Sequence, residues 1–209
     1  MVTTIIPALN EAKTICEIIS TCMQSEYVSE VIVIDDGSTD NTFEAANKAG
    51  AKVFRIEKNK GKGHVMLLGA KEAKEDTFLF LDADLIGLNL EHVNSLIEPV
   101  VNNDVDATLG IFTGGRIKTD LAHIVTPFLS GQRCIKKDLF LDAVSSNSNS
   151  GYGVELVISL FLLKNKKKVL KIPLHNLTHV MKEEKNGKGT GMKKRLKMYE
   201  EILAVFFKK

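Results

Sequence analysis

Residues 77–88 read TFLFLDADLIGL, and the reading of this stretch decides the fold. Phe78, Leu79, Phe80 and Leu81 form an unbroken apolar run, the pattern of a strand covered on both faces. Asp82 and Asp84 then arrive at its carboxyl end. In a continuing strand the two side chains would share a face. Two carboxylates so placed repel unless a cation or several donors bridge them, and hard oxygen ligands suit Mg²⁺ or Mn²⁺. Taken alone, the same residues also fit a helix cap and turn.

Working outward, three earlier apolar segments alternate with helix-like ones. Strands are expected at Thr3–Pro7, Val31–Asp35, Lys52–Glu57 and Thr77–Leu81, and helices near Ala12–Gln24, Asn41–Ala49 and Gly63–Lys74. This alternation predicts an α/β fold, with a Rossmann-like, mostly parallel sheet flanked by helices. In open sheets of that kind, ligands bind beyond the carboxyl ends of the strands. The loops PALNEA, DDGSTD, NKGKG and DADL all lie there, so four loops face one crevice. A helix near Leu90–Asn102 and a strand at ATLGIF follow, and the second half is expected to cover the crevice.

The chain has 209 residues, 44% hydrophobic and 26% charged, which suits one domain with a sizeable core. No linker or repeat separates residues 1–90 from 91–209. With 28 basic against 26 acidic residues, the formal charge of +2 gives no reason to expect nucleic acid as a partner. Three cysteines without metal-type spacing are expected to be free thiols, buried in the helical pattern at Cys16 and Cys22, which fits a reducing cytoplasm. The opening residues MVTTIIPALNEA are expected to be a strand, not a signal peptide. The longest apolar runs, such as LVISLFLL at Leu156–Leu163, fall short of the roughly 20 residues that cross a bilayer. Residues 192–209 mix basic and apolar positions at helical spacing. They suggest a helix packed on the domain, with peripheral membrane contact and a homodimer left open.

Two loops bear on chemistry. In VIVIDDGSTDNT, Val31–Thr42, capping explains Ser38 or Asp40 but not the adjacent acids Asp35 and Asp36, for which nucleobase or ribose donors offer a reason. In NKGKG, Asn59–Gly63, two glycines flank Lys62 before a helix, so backbone amides and an ammonium could face a phosphate. The spacing is not that of a Walker loop, and no GxGxxG turn follows the first strand. A plain helix-start loop remains the alternative.

Together, IIPALNEA, VIVIDDGSTDNT, NKGKG and FLFLDADL, in this order and spacing, resemble the nucleotide-sugar half of GT-A glycosyltransferases that use nucleotide diphosphate sugars. The later SGQRCIKKDLF and GYGVELVISLFLL extend the resemblance to polyprenyl-phosphate sugar transferases and glucosyl-3-phosphoglycerate synthases, and TGGRIKTDLA tilts it toward the second group. The resemblance implies a metal-dependent hexosyltransferase taking a UDP-glucose-like donor. Pro7, Ala8, Leu9, Glu11 and Asp36 would contact the nucleoside, and Lys62 the nucleotide or diphosphate. In the DAD motif, Asp82 would hold the ribose or sugar, with Ala83 beside it, and Asp84 a divalent metal, Mg²⁺ or Mn²⁺. His179, chosen over His175, would be a further metal ligand. Met181–Gly191 would be a lid.

On the acceptor side, Gly114, Gly115 and Arg116 match a loop that binds phosphoglycerate in those relatives, and arginine suits such an anion. The stretch between Arg116 and SGQR is shorter than theirs, so a lipid phosphate meeting Arg133 and Lys136 is the alternative acceptor. Glu155 is a candidate base for the acceptor hydroxyl, or else a helix-start carboxylate. A nucleotidyltransferase is disfavoured because PALNEA is neither glycine-rich nor basic. The intact acidic pair disfavours an inactive sugar-nucleotide-binding module.

Overall fold

The computed structural model describes residues 1–113, 130–145 and 153–179. Its first half is β1 (Val2–Ala8), α1 (Ile15–Met23), β2 (Val28–Asp35), α2 (Thr42–Lys48), β3 (Lys52–Arg55), α3 (Lys62–Glu72) and β4 (Thr77–Phe80). The rest is β5 (Leu85–Ile86), α4 (Leu90–Val101), β6 (Ala107–Thr113), β7 (Arg133–Lys136), α5 (Lys137–Ser145), α6 (Val154–Lys164), β8 (Val169–His175) and β9 (Thr178–His179). The seven-stranded main sheet has the order β3-β2-β1-β4-β7-β6-β8, and β5 and β9 form a separate pair. Every neighbouring pair of the main sheet is parallel except those of β7, which runs against both β4 and β6.

Alternation along the central strands divides the core between the two faces of the sheet. Ile5, Ile32, Ile34, Phe78 and Phe80 point toward Val65, Met66 and Ala70 of α3 and toward α5 and α6. Ile6, Val31, Val33, Leu79 and Leu81 point the other way, toward α1 and α4. Those two helices present Ile15, Ile18, Ile19 and Cys22, and Val93, Leu96, Ile97 and Val100, each set at the i, i+3, i+4, i+7 spacing of one helical face. Each such buried side chain contributes about 1.5–3 kcal/mol of transfer free energy. On the other face α3 lies almost flush on β1, because a Cβ at Gly69 would come within 2.5 Å of Ile5 Cγ2.

Several boundaries differ from the sequence expectation for local reasons. The chain makes a turn before α1, in which the Glu11 carbonyl accepts from the amides of Thr14 and Ile15, so the helix starts at Ile15 rather than Ala12. Strand β4 stops at Phe80, and Asp82 to Asp84 form a turn and not a continuing strand. Cys16 is exposed rather than buried, since it lies off the apolar face of α1; Cys22 is buried, which pushes its thiol pKa up to about 12. Among the described residues no helix is long and apolar enough to cross a membrane.

Candidate active site

The parallel strands β1, β2 and β4 deliver their carboxyl ends to one crevice. It is lined by Pro7, Ala8, Leu9, Glu11, Asp36, Asn59, Gly61, Lys62, Val65, Asp82, Ala83, Asp84 and His179, around a cavity of about 460 Å³. That volume is within the range of small-molecule sites.

The first two loops are laced together. Asn10, in the left-handed region at φ 58°, takes a hydrogen bond from Thr39 N, while Ser38 Oγ accepts from Asn10 N and Thr42 Oγ1 from Glu11 N. Thr14 Oγ1 donates to the Ala83 carbonyl at 2.6 Å, so the first loop also braces the DAD turn.

The two acids that end β2 are held by the protein itself, which corrects the need for nucleoside donors. Asp35 is fully buried; Ser38 N donates to its Oδ1 at 2.8 Å, and Arg55 Nε stands 3.5 Å from Oδ2, an ionic contact without hydrogen-bond geometry. Asp36 lines the crevice but accepts from Lys60 N at 2.7 Å and Gly61 N at 2.9 Å. Its carboxylate thereby uses up two amides of the NKGKG loop, which are not available to a phosphate. Lys62, beside Asn59 and Gly61, is the cation that loop brings to the crevice.

Lys62 Nζ is shared between Asp82 Oδ1 and Glu155 Oε1. Burial lowers the Lys62 pKa, and the two carboxylates outweigh it, leaving a net rise. Glu155 opens α6, where its carbonyl accepts from Arg133 Nη1. Arg133 is itself only 2% exposed and also donates through Nη2 to the Ser130 carbonyl; burial lowers its pKa to about 10. The structure therefore takes Arg133 away from a direct acceptor contact and makes it a buried brace under Glu155. Lys136 lies opposite Thr77, at the far end of β4 from the crevice, because β7 is antiparallel; its Nζ donates to Asn103 Oδ1. Gly114, Gly115, Arg116 and Met181–Gly191 lie outside the described residues.

Asp84 and His179, 95 positions apart, meet with Oδ1 and Nδ1 3.0 Å from each other. The short β5–β9 ladder brings them together by pairing Leu85 with His179, and the Phe112 ring packs on the imidazole at a centroid distance of 4.6 Å. The hydrogen bond with Asp84 raises the His179 pKa above its ordinary value, against burial, which lowers it. His175 ends β8 and instead sets Nδ1 2.8 Å from Thr113 Oγ1. One ligand atom each from Asp82, Asp84 and His179 lie within 4.8 Å of one another. Two carboxylates and an imidazole so placed suit a hard divalent cation such as Mg²⁺ or Mn²⁺.

Gly87 sets the ladder's approach. Its φ is +85°, and a Cβ there would come within 2.7 Å of the Asn176 carbonyl oxygen. Gly87→Ala is expected to cost at least about 1–2 kcal/mol from the left-handed backbone alone, read as a lower urea midpoint. Because the clash pushes on the segment that carries His179, Mn²⁺ affinity measured by calorimetry should fall as well.

Sequence reasoning passed over Gln132, whose Nε2 donates to Asp82 Oδ2 at 2.8 Å, and Thr14. The signal for Gln132 was its place in SGQR, beside the charged residue that drew attention.

A crevice over the carboxyl ends of parallel strands, with an Asp-Ala-Asp turn and a histidine across from it, is the arrangement of the GT-A fold. The chain belongs to glycosyl transferase family 2, whose model matches residues 3–161. Its fold is similar to that of glucosyl-3-phosphoglycerate synthase from Mycobacterium tuberculosis. The structure of that protein with Mn²⁺, UDP and phosphoglyceric acid gives a TM-score of 0.74 at 23% identity, covering 99% of this chain and 77% of that one. The structure with Mn²⁺, UDP and glucosyl-3-phosphoglycerate gives 0.72 at 24% identity, covering 99% and 78%. Over 97 residues the chain is 37% identical to 4,4'-diaponeurosporenoate glycosyltransferase of Staphylococcus haemolyticus, covering 44% of this chain and 26% of that protein. The Staphylococcus aureus (strain USA300) protein of the same name is 36% identical over 100 residues, covering 46% and 27%. The chain thus spans about a quarter of the length of the curated relatives it matches.

Proposed function

We propose that the crevice binds a nucleotide diphosphate sugar, UDP-glucose-like, together with Mg²⁺ or Mn²⁺, and that its hexose passes to a small phosphorylated acceptor such as a phosphoglycerate. The observation that carries this reading is the convergence of Asp82, Asp84 and His179 on one point at the strand ends. The similar structures from M. tuberculosis, which hold Mn²⁺, UDP and phosphoglyceric acid, support the choice of donor and acceptor.

In this reading the first loop, Pro7 to Glu11, and Asp36 form the nucleoside wall. Asp84 and His179 hold the metal, which when bound supplies positive charge to the departing nucleoside diphosphate. Lys62 adds a second cation on the same side, matching charge that grows as the sugar–phosphate bond breaks. Asp82 takes hydrogen bonds from sugar hydroxyls. Glu155, beside Lys62, takes the proton from the acceptor hydroxyl as the new glycosidic bond forms. The acceptor's anion is assigned to Gly115 and Arg116. A lipid-phosphate acceptor is the second reading, favoured by the short stretch between Arg116 and SGQR.

Calorimetry with UDP-glucose and GDP-mannose, with and without MnCl₂, tests the donor half. The reading expects metal-dependent binding of one of them. A screen of the bound donor against 3-phosphoglycerate and a polyprenyl phosphate then separates the two acceptors. Absence of binding to either nucleotide sugar would sink the proposal.

A further inference from the structure

We propose that the turn Ser130–Gly131–Gln132 is the seat that fixes Asp82 for the donor's sugar, and that Gln132 is a positioning residue governing how strongly the sugar, as distinct from the nucleoside diphosphate, is held. The inference rests on the function proposed above and adds a residue to it.

Gln132 is fully buried and cannot touch a ligand directly. Its amide orientation is set from behind: Ser130 Oγ donates to Gln132 Oε1 at 2.9 Å and accepts from Gln132 N at 3.3 Å. With its oxygen so occupied, the amide presents its NH₂ to Asp82 Oδ2, 2.8 Å away. Lys62 holds the other oxygen, Oδ1. Gly131 completes the seat, since a Cβ there would come within 2.5 Å of both carboxylate oxygens of Asp82. The carboxylate is thus packed directly against backbone, with one internal donor fixed on each oxygen.

A carboxylate has about four acceptor sites on its two oxygens. Two are occupied from within, and the side chain, 20% exposed, offers the remainder to the crevice. An acid already carrying two donors and pinned in rotation suits directional hydrogen bonds from hydroxyl groups. Asp84 is held from a different part of the chain, by His179 across the β5–β9 ladder. The two acids of the DAD turn are therefore gripped by different partners, and a change at Gln132 acts first on Asp82.

The test compares two ligands in each protein by calorimetry in MnCl₂, using whichever pair the wild type binds: UDP and UDP-glucose, or GDP and GDP-mannose. Gln132→Met keeps the side chain's length and removes the amide. Gly131→Ala pushes on the carboxylate by an independent route and also serves if the first variant does not fold, which thermal unfolding will show. Both are expected to weaken the nucleotide sugar about tenfold, the loss of one hydrogen bond to a charged group, and to weaken the nucleoside diphosphate far less. Equal weakening of both ligands, or of neither, would overturn the inference while leaving the proposed function intact. If the wild type binds neither pair, the proposed function fails, and the inference fails with it.

Discussion

Asp84→Ala is expected to reduce transfer by about a thousandfold or more, and to make what activity remains indifferent to chelator. Asp84 supplies one of the three converging donors and is the partner of His179 at 3.0 Å. Its loss leaves Asp82, already engaged by Lys62 and Gln132, and a histidine without that contact. A metal that neutralises a departing diphosphate contributes several kcal/mol in the transition state, and about 4 kcal/mol corresponds to roughly 10³ in rate. The measurement is kcat/KM against MnCl₂ concentration for wild type and variant, with EDTA controls. Wild-type protein in EDTA should fall to the level of the variant, and the variant should not fall further. Activity within tenfold of wild type, with the same metal dependence, would refute the assignment of Asp84.

Glu155→Gln is expected to lower kcat by about 10²–10⁴, the usual contribution of a positioned general base, while donor affinity changes little. The substitution keeps the shape of the side chain, an oxygen facing Lys62 and the hydrogen bond from Arg133, which goes to the Glu155 carbonyl, while removing a charge that favours the buried guanidinium. A structural role alone would appear as a lower melting temperature or weaker donor binding. Steady-state kinetics and calorimetry on the same preparation separate the outcomes. Unchanged kcat would remove Glu155 from the chemistry and leave it as an anchor for Lys62.

The order of strands and helices in the first half was legible chiefly because β2 and β4 are apolar runs ended by polar, turn-forming loops. The run Ile32 to Ile34 followed by DDGST shows this, and so does Phe78 to Leu81 followed by DAD. The grouping of four loops at one crevice followed from the parallel topology those runs imply. The direction of β7 was not legible. A four-residue strand, Arg133–Lys136, has the same alternation whichever way it runs, and its register with β4 is what sends Lys136 to the wrong end of the sheet for an acceptor contact. The engagement of Asp36 was hidden for another reason. Its partners, the amides of Lys60 and Gly61, carry no side-chain signature and reach it only when the loop after β3 closes. Buried arginines read from sequence as surface cations, because the carbonyl oxygens that hold Arg133 belong to residues of any type.

The single reversed strand has an architectural consequence. Strand β6 ends at Thr113 and β7 begins at Arg133, on adjacent antiparallel tracks, so both stubs stand on the crevice side of the sheet. The chain between them is tethered at two fixed posts, one of which continues directly from the seat of Asp82. Arg133, which follows the seat of Asp82 directly, is gripped by Phe80 on one side and Leu109 on the other, so the sheet itself clamps that seat from both flanks.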